Sequence, residues 1–316
     1  MDGGVCVSLW CEEVEDDQIE DRGRGEAGGP PGGPARPRAA WDPSASGPRV
    51  IQRLLQVERR YAPSSLYVRL VQRDPERREE LAKWALEVCC ACGCDEAVFP
   101  LAVSLLDRFL SASLSVPGSP SCLSAGCVLI ASKLTECDVV TADALCAAAE
   151  YSFLPSGLRE MERLILSTLR WDTAAVTPQD YLPHLLASAA EQEEGEDPEE
   201  ERRLLATLRR HSDTLTAMCA CDSRFLGAPP SLVAAAALTC ALRGLDWRGR
   251  ARPALSSDAL AQLSHTDPVV LQCYSELIEQ ALRQRLRSGL QGPAEKGEEV
   301  EDERPGTPTD MREIDF

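Results

Sequence analysis

The sequence predicts an all-α protein: two five-helix units preceded by a short N-terminal helix and flanked by disordered tails. Three observations carry this prediction. Apolar residues between 49 and 289 recur at the spacing of one helix face. No stretch there sustains the alternation of Val, Ile and aromatic residues that marks strands. Two segments, CLSAGCVLIASKL (122–134) and PPSLVAAAALTCALR (229–243), are apolar nearly all round and rich in small residues. Each is third in a run of five predicted helices, and such a helix is buried by its neighbours, whose close approach the small side chains permit.

In chain order, residues 1–48 open acidic and pass into RGRGEAGGPPGGPARPRAAWDPSASGP (22–48), which is too rich in Gly and Pro to bury enough surface to offset ordering entropy. A lead helix at about 49–60 carries Val50, Ile51, Leu54 and Leu55. The first unit, within 49–174, follows with helices at about 75–92, 95–111, 120–135, 141–150 and 156–170. In its second helix Val98, Ala102, Leu105, Leu106 and Phe109 form one face, and Pro100 is expected to kink or shorten the start. Leu158, Met161, Ile165 and Leu169 line its fifth helix. The second unit, 175–289, opens at Thr177-Pro178-Gln179-Asp180: an N-cap residue, a proline at the first helical position and an acid in the first turn. Its helices fall at about 178–189, 200–222, 229–243, 256–264 and 267–288, interrupted by a solvated acidic loop, 191–201. Residues 290–316 read as a second disordered acidic tail.

The formal net charge of −18 is unevenly placed. Residues 1–48, 191–201 and 290–316 carry −6, −8 and −6, so the remaining body is close to neutral. Acidic tails on a neutral body repel phosphate backbones, which argues against nucleic acid as a partner. No apolar run reaches bilayer length, and the acidic N-terminus has no basic leader, so neither a membrane nor a secretory route is expected. With no Asn for a sequon, the 14 Cys read as reduced thiols. Cys89, Cys90, Cys92 and Cys94 include one CxxC, but no second CxxC follows and His184, His211 and His265 are scattered. No metal and no cofactor is expected. There is also no nucleotide-binding loop, Ser-His-Asp order or paired-acid constellation, so the chain is not read as an enzyme.

The letters themselves narrow the reading. LAKWALEVC (81–89), VFPLAVSLLDRFLS (98–111), ASKLTE (131–136) and MERLILSTLRWD (161–172) resemble, in order and spacing, the first cyclin box of D-type cyclins. TPQDYLPHLL (177–186) and CACDSRFLGAPPSLVAAAAL (219–238) are similar to the second box. The C-terminal TPTDMREIDF and the LxCxE pattern of Leu9, Cys11 and Glu13 complete the resemblance, which spans about 49–290 plus both ends. It implies tandem cyclin boxes and a divergent D-type member.

What the resemblance implies about function can be assigned residue by residue. Lys133 is one of three Lys against thirty Arg and sits near the C-terminal end of the buried third helix, where the helix dipole favours a cation. By pattern alone Lys133 and Glu162 read as a snorkelling lysine and a solvated glutamate. The resemblance makes them the pair that binds the kinase backbone around its mobile αC helix. The implied role is a regulatory subunit that activates a cyclin-dependent kinase of the 4/6 class, promoting phosphorylation of retinoblastoma-family proteins and passage into S phase.

Leu9, Cys11 and Glu13 are then a retinoblastoma-pocket motif. Thr307, before Pro308, is a proline-directed phosphosite that implies nuclear export, a ubiquitin ligase and residence in both nucleus and cytoplasm. Asp107 and Arg108 read as an intramolecular pair fixing helices. The family's substrate-docking patch is degraded: Leu81 and Trp84 remain, but Arg77 and Glu80 stand where apolar residues belong. Those two, spaced i and i+3, are placed to pair with each other. Docking of arginine-leucine motifs, including those of Cip/Kip-type inhibitors, is therefore expected to be weak. The alternative is a kinase-binding cyclin that titrates inhibitors, or a transcription adaptor, without activating the kinase.

Overall fold

The structure, a computed structural model, describes residues 47–114, 117–136, 139–190, 198–245 and 255–289. Among these, twelve α-helices and two 3-10 turns form, and there is no strand. A lead helix α1 (Pro48–Val57) runs into a 3-10 turn, Glu58–Tyr61, and a short α2 (Ser65–Arg73). The first five-helix unit comprises α3 (Glu76–Ala91), α4 (Val98–Ser113), α5 (Pro120–Thr135), α6 (Ala142–Ala148) and α7 (Pro155–Thr168). The second comprises α8 (Pro178–Ala190), α9 (Pro198–Cys221), α10 (Pro230–Gly244), α11 (Ser257–Leu263) and α12 (Pro268–Gly289), with a 3-10 turn at Ser223–Phe225. Seven of the twelve helices begin on a proline, which explains how a proline-rich chain stays helical: the N–H that proline lacks has no intrahelical partner at that position. Pro100 obeys the same rule. It shortens α4 so that the helix starts at Val98 and the proline falls within the first turn.

The predicted repeat is physical. In α5 the residues Cys122–Ser132 are all buried, and in α10 so are Ser231–Ala241. Each of these central helices packs against the helix before it and the last helix of its unit. The fourth helices also match. Thr141 caps α6 by accepting from the Ala144 N–H at 3.2 Å, and Ser256 caps α11 by accepting from the Ala259 N–H at 3.2 Å. Both end in the same reversal: Tyr151 N–H reaches Cys146 O, and Thr266 N–H reaches Ala261 O, with Glu150 and His265 in the left-handed region.

Two departures from the expected pattern matter. The sequence reading lacks α2, whose buried face is only Tyr67 and Val71 while Leu66 and Leu70 stay exposed. The lead helix α1, although contiguous with the first unit, packs on α8, so that Ile51 belongs to the core of the second. Glu58 fixes this attachment. Its buried carboxylate accepts from Tyr181 Oη at 3.0 Å and from the N–H and Oγ of Ser231, both at 3.1 Å, at the start of α10. An acid there satisfies helix N-terminal donors and faces the positive end of the dipole.

Candidate functional site

The central pair lies where two helices approach closely. On α5, Gly126 faces α7: a Cβ built there would lie 2.8 Å from Ile165 Cδ1 and 3.3 Å from Met161 Cγ. The missing side chain thus sets the helix separation. Two turns further along α5, Lys133 Nζ donates to Glu162 Oε1 at 2.6 Å. The lysine is 46% exposed and the glutamate 15%, so the pair opens on one surface with its cation outermost. Leu134, 55% exposed, stands beside it. Leu134 also lines a cleft of about 610 Å³ shared with Glu96, Asp180, His184 and Arg209.

Chemically, one ammonium proton is used by Glu162 and two remain, while the second carboxylate oxygen keeps its acceptor capacity. Adjacent donor and acceptor of this kind match the C=O and N–H groups of a peptide backbone. At the C-terminal end of α5, Ser132 Oγ accepts from Val140 N–H at 2.8 Å and Glu136 Oε1 accepts from Asp95 N–H at 2.8 Å.

Asp107 and Arg108 do not pair with each other, which corrects the sequence expectation. Consecutive helical residues diverge by about 100° and cannot face one another. Asp107 instead takes a bidentate contact from Arg78 of α3, Nε to Oδ1 at 3.0 Å and Nη2 to Oδ2 at 2.7 Å, plus the Tyr67 hydroxyl at 2.9 Å. The remaining arm of Arg78 reaches Ala220 O on α9, so this buried cluster ties the first unit to the second. Arg108 donates to the carbonyls of Asp172 and Ala174 at 2.7 and 2.6 Å and lies over the Tyr61 ring at 5.2 Å, fixing the segment that joins the two units.

On α3, Leu81 is buried in the core, Trp84 packs partly against it, and Arg77 and Glu80 are exposed. Among the described residues Arg77 and Glu80 form no ion pair with each other, contrary to the expectation from their spacing; the nearby pair is Lys83 with Glu79 at 3.3 Å. Of the cysteines at the end of α3, Cys89 and Cys94 are buried, Cys92 is half-buried and Cys90 is exposed. A hydrogen bond with Cys94, together with burial, pushes the Cys89 thiol far up. Among the described residues no three His, Cys, Asp or Glu side chains are grouped as a metal ion would need. Leu9, Cys11, Glu13 and Thr307 lie outside the described residues.

Sequence reasoning missed Arg78, Glu58 and Gly126. It also missed Arg209, which bridges Glu96 of the first unit at 3.1 Å and Asp213 of its own helix at 2.6 Å. Burial outweighs that contact and, with Glu96 nearby, pushes the Asp213 carboxyl up to about 7.

Residues 49–174 match the cyclin N-terminal domain and residues 176–296 the cyclin C-terminal domain. Over 286 residues the chain is 38% identical to the G1/S-specific cyclin-D2 of Rattus norvegicus, covering 88% of this chain and 96% of that one. The chain belongs to the D-type cyclins. It is also 36% identical over 287 residues to the G1/S-specific cyclin-D1 of Danio rerio, covering 88% and 95% of the two chains. The solved structure of a viral cyclin from herpesvirus saimiri superposes with a TM-score of 0.61 at 24% identity, covering 75% of this chain and 97% of that one. The two five-helix units are therefore cyclin boxes. A cyclin regulates a kinase partner, and this D-type cyclin's role is that of a regulatory subunit.

Proposed function

We propose that this D-type cyclin binds and activates a cyclin-dependent kinase of the 4/6 class and so promotes phosphorylation of retinoblastoma-family proteins on entry into S phase. One observation carries the reading: Lys133 and Glu162 form a donor–acceptor pair at the surface, beside the exposed Leu134, on the two helices that Gly126 lets close together. Such a pair recognises backbone without regard to side chains, as is needed to hold a mobile kinase helix. Activation is then a population shift. The cyclin binds one αC position better than the other, and that position completes the kinase's own Lys–Glu ion pair and frees its activation loop. The cyclin supplies no reacting group.

Around this core, Leu9, Cys11 and Glu13 would engage the retinoblastoma pocket. Thr307, once phosphorylated, would direct export and recognition by a ubiquitin ligase, giving a protein that moves between nucleus and cytoplasm. The exposed charges of Arg77 and Glu80 favour a second reading, in which the complex recruits docking-motif substrates and Cip/Kip inhibitors poorly and acts partly by titrating partners.

The test is co-expression with kinases of the 2, 4 and 6 types, followed by pull-down and phosphorylation of a retinoblastoma fragment. Lys133→Glu removes charge-assisted hydrogen bonds worth about 1.5–3 kcal/mol and sets a second carboxylate against Glu162. Capture of the 4- and 6-type kinases should fall by about 10- to 100-fold or more. Unchanged capture and activity would overturn the role of the pair. Capture without phosphorylation would favour the titrating reading.

A further inference from the structure

Between the two cyclin boxes lies a half-enclosed cavity of about 240 Å³. Its walls are largely apolar: Val103 of α4, Val176 ahead of α8, Phe225 and Leu226 of the second 3-10 segment, and Val233 of α10. The charged residues that line it are Glu58, Arg59, Arg78 and Asp107. Three of these are engaged. Arg78 and Asp107 neutralise each other through their bidentate contact. The Glu58 carboxylate accepts from Tyr181 and from both donors of Ser231, at the positive end of α10.

Arg59 is the exception. It is exposed, and among the described residues no hydrogen bond or ion pair engages it. The 3-10 turn that carries it is held on both sides, however. Glu58 before it is buried and bonded, Arg60 after it pairs with Asp172 at 2.8 Å, and the guanidinium groups of Arg60 and Arg108 lie over the Tyr61 ring at 5.6 and 5.2 Å. A fixed turn thus presents one unengaged cation beside a mostly apolar cavity, and no carboxylate lining that cavity is left to answer it.

We propose that the inter-box cavity binds a small apolar monocarboxylate, with its hydrocarbon body between the boxes and its carboxylate on Arg59. Charge sets the head group. A guanidinium offers parallel N–H donors in a planar fork that matches the two oxygens of a carboxylate. Size sets the body. A cavity of about 150 Å³ lined by apolar side chains accommodates a single benzene ring, so one about half as large again suits two fused rings. A mostly apolar pocket with few polar groups, at a junction of domains, is the usual setting for small ligands. The ligand would touch both boxes and stiffen the junction that Arg78 spans. The inference stands independently of which kinase the cyclin binds.

The experiment titrates 2-naphthoate and its neutral counterpart 2-naphthamide into the full chain, with no kinase present, by isothermal calorimetry and saturation-transfer NMR. Naphthoate should bind saturably at sub-millimolar concentration. The amide has the same rings without the charge, and should bind about 3- to 10-fold more weakly, a modest factor because Arg59 is open to water. Arg59→Gln should erase that difference. Arg69→Gln, at an exposed arginine that does not line the cavity, should preserve it. Ser104→Trp, which puts a large ring into the cavity from a half-buried position on α4, should abolish binding of both. Should Ser104→Trp fail to fold, the two arginine variants, both at exposed positions, still decide the matter. Absence of saturable naphthoate binding at millimolar concentration would overturn the proposal. So would equal affinity for the two probes in the unaltered chain, discrimination kept in Arg59→Gln or lost in Arg69→Gln, or undiminished binding by a folded Ser104→Trp.

Discussion

Replacing Asp107 by alanine strips the buried Arg78 guanidinium of the carboxylate that it binds. Arg78 is 5% exposed, and among the described residues it would keep only the Ala220 carbonyl, while the Tyr67 hydroxyl would lose its acceptor. Leaving a buried charge uncompensated costs about 3–5 kcal/mol, and the orphaned hydroxyl adds about 1 kcal/mol. For a body of this size each kcal/mol lowers the midpoint by about 2–4 °C, so Asp107→Ala should melt roughly 10–20 °C below the parent. The reciprocal change, Arg78→Met, should cost less. A stranded carboxyl can take up a proton and keep the Tyr67 hydroxyl, whereas a stranded guanidinium cannot lose its charge. Replacing both by apolar residues of similar volume, Arg78→Met with Asp107→Leu, should restore most of the loss, because a buried ion pair contributes little net stability over well-packed hydrophobes. Circular dichroism melts and urea titrations of the four proteins measure the cycle. A drop of less than about 3 °C for Asp107→Ala would refute the reasoning, as would a double variant no better than that single one.

Three further perturbations follow from the same geometry. Glu58→Leu leaves the Tyr181 hydroxyl and both Ser231 donors buried without an acceptor, and should cost roughly 3 kcal/mol in urea unfolding; a loss below about 1 kcal/mol would mean that α1 is not held through this carboxylate. Asp213 takes up its proton near pH 7 when folded but near 3.8 when unfolded, so its stabilising contribution is full below about pH 4 and is lost as pH rises through 7. Asp213→Asn should therefore melt a few degrees above the parent at pH 8, with the gap closing towards pH 4 (a gap that widened on acidification would contradict this sign). Gly126→Val puts carbon into the space held by Ile165 and Met161 and should cost about 1–3 kcal/mol; by pushing α7 away it should also weaken kinase capture in the pull-down, and a variant unchanged in both would show that helix separation does not set the Lys133–Glu162 geometry.

Some of the site was legible before any coordinates. Lys133 stood out because the chain otherwise uses Arg, and its place near the end of a buried helix follows from the run of small residues before it. Glu162 is one of two acids on α7 and was marked only through the family resemblance. Arg78 sits in the run Glu76-Arg77-Arg78-Glu79-Glu80, where nothing in the letters separates the one buried side chain from its exposed or half-buried neighbours. The adjacency of Asp107 and Arg108 pointed the wrong way, since neighbours along a helix face different surroundings.

Local rules acting over a few residues determined the helices themselves: apolar periodicity placed eleven of the twelve, seven of them begin on a proline, and the all-apolar segments placed one buried helix at the centre of each unit. The exception, α2, has too narrow a buried face to register. Only the tertiary structure decided which polar groups meet: Arg78 with Asp107 across 29 residues, Glu58 with Ser231 across 173, Lys133 with Glu162 across 29. The physical reason is that periodicity reports which face of a helix avoids water. A buried ion pair depends on where two such faces converge in space, and that is set by packing among all the helices at once.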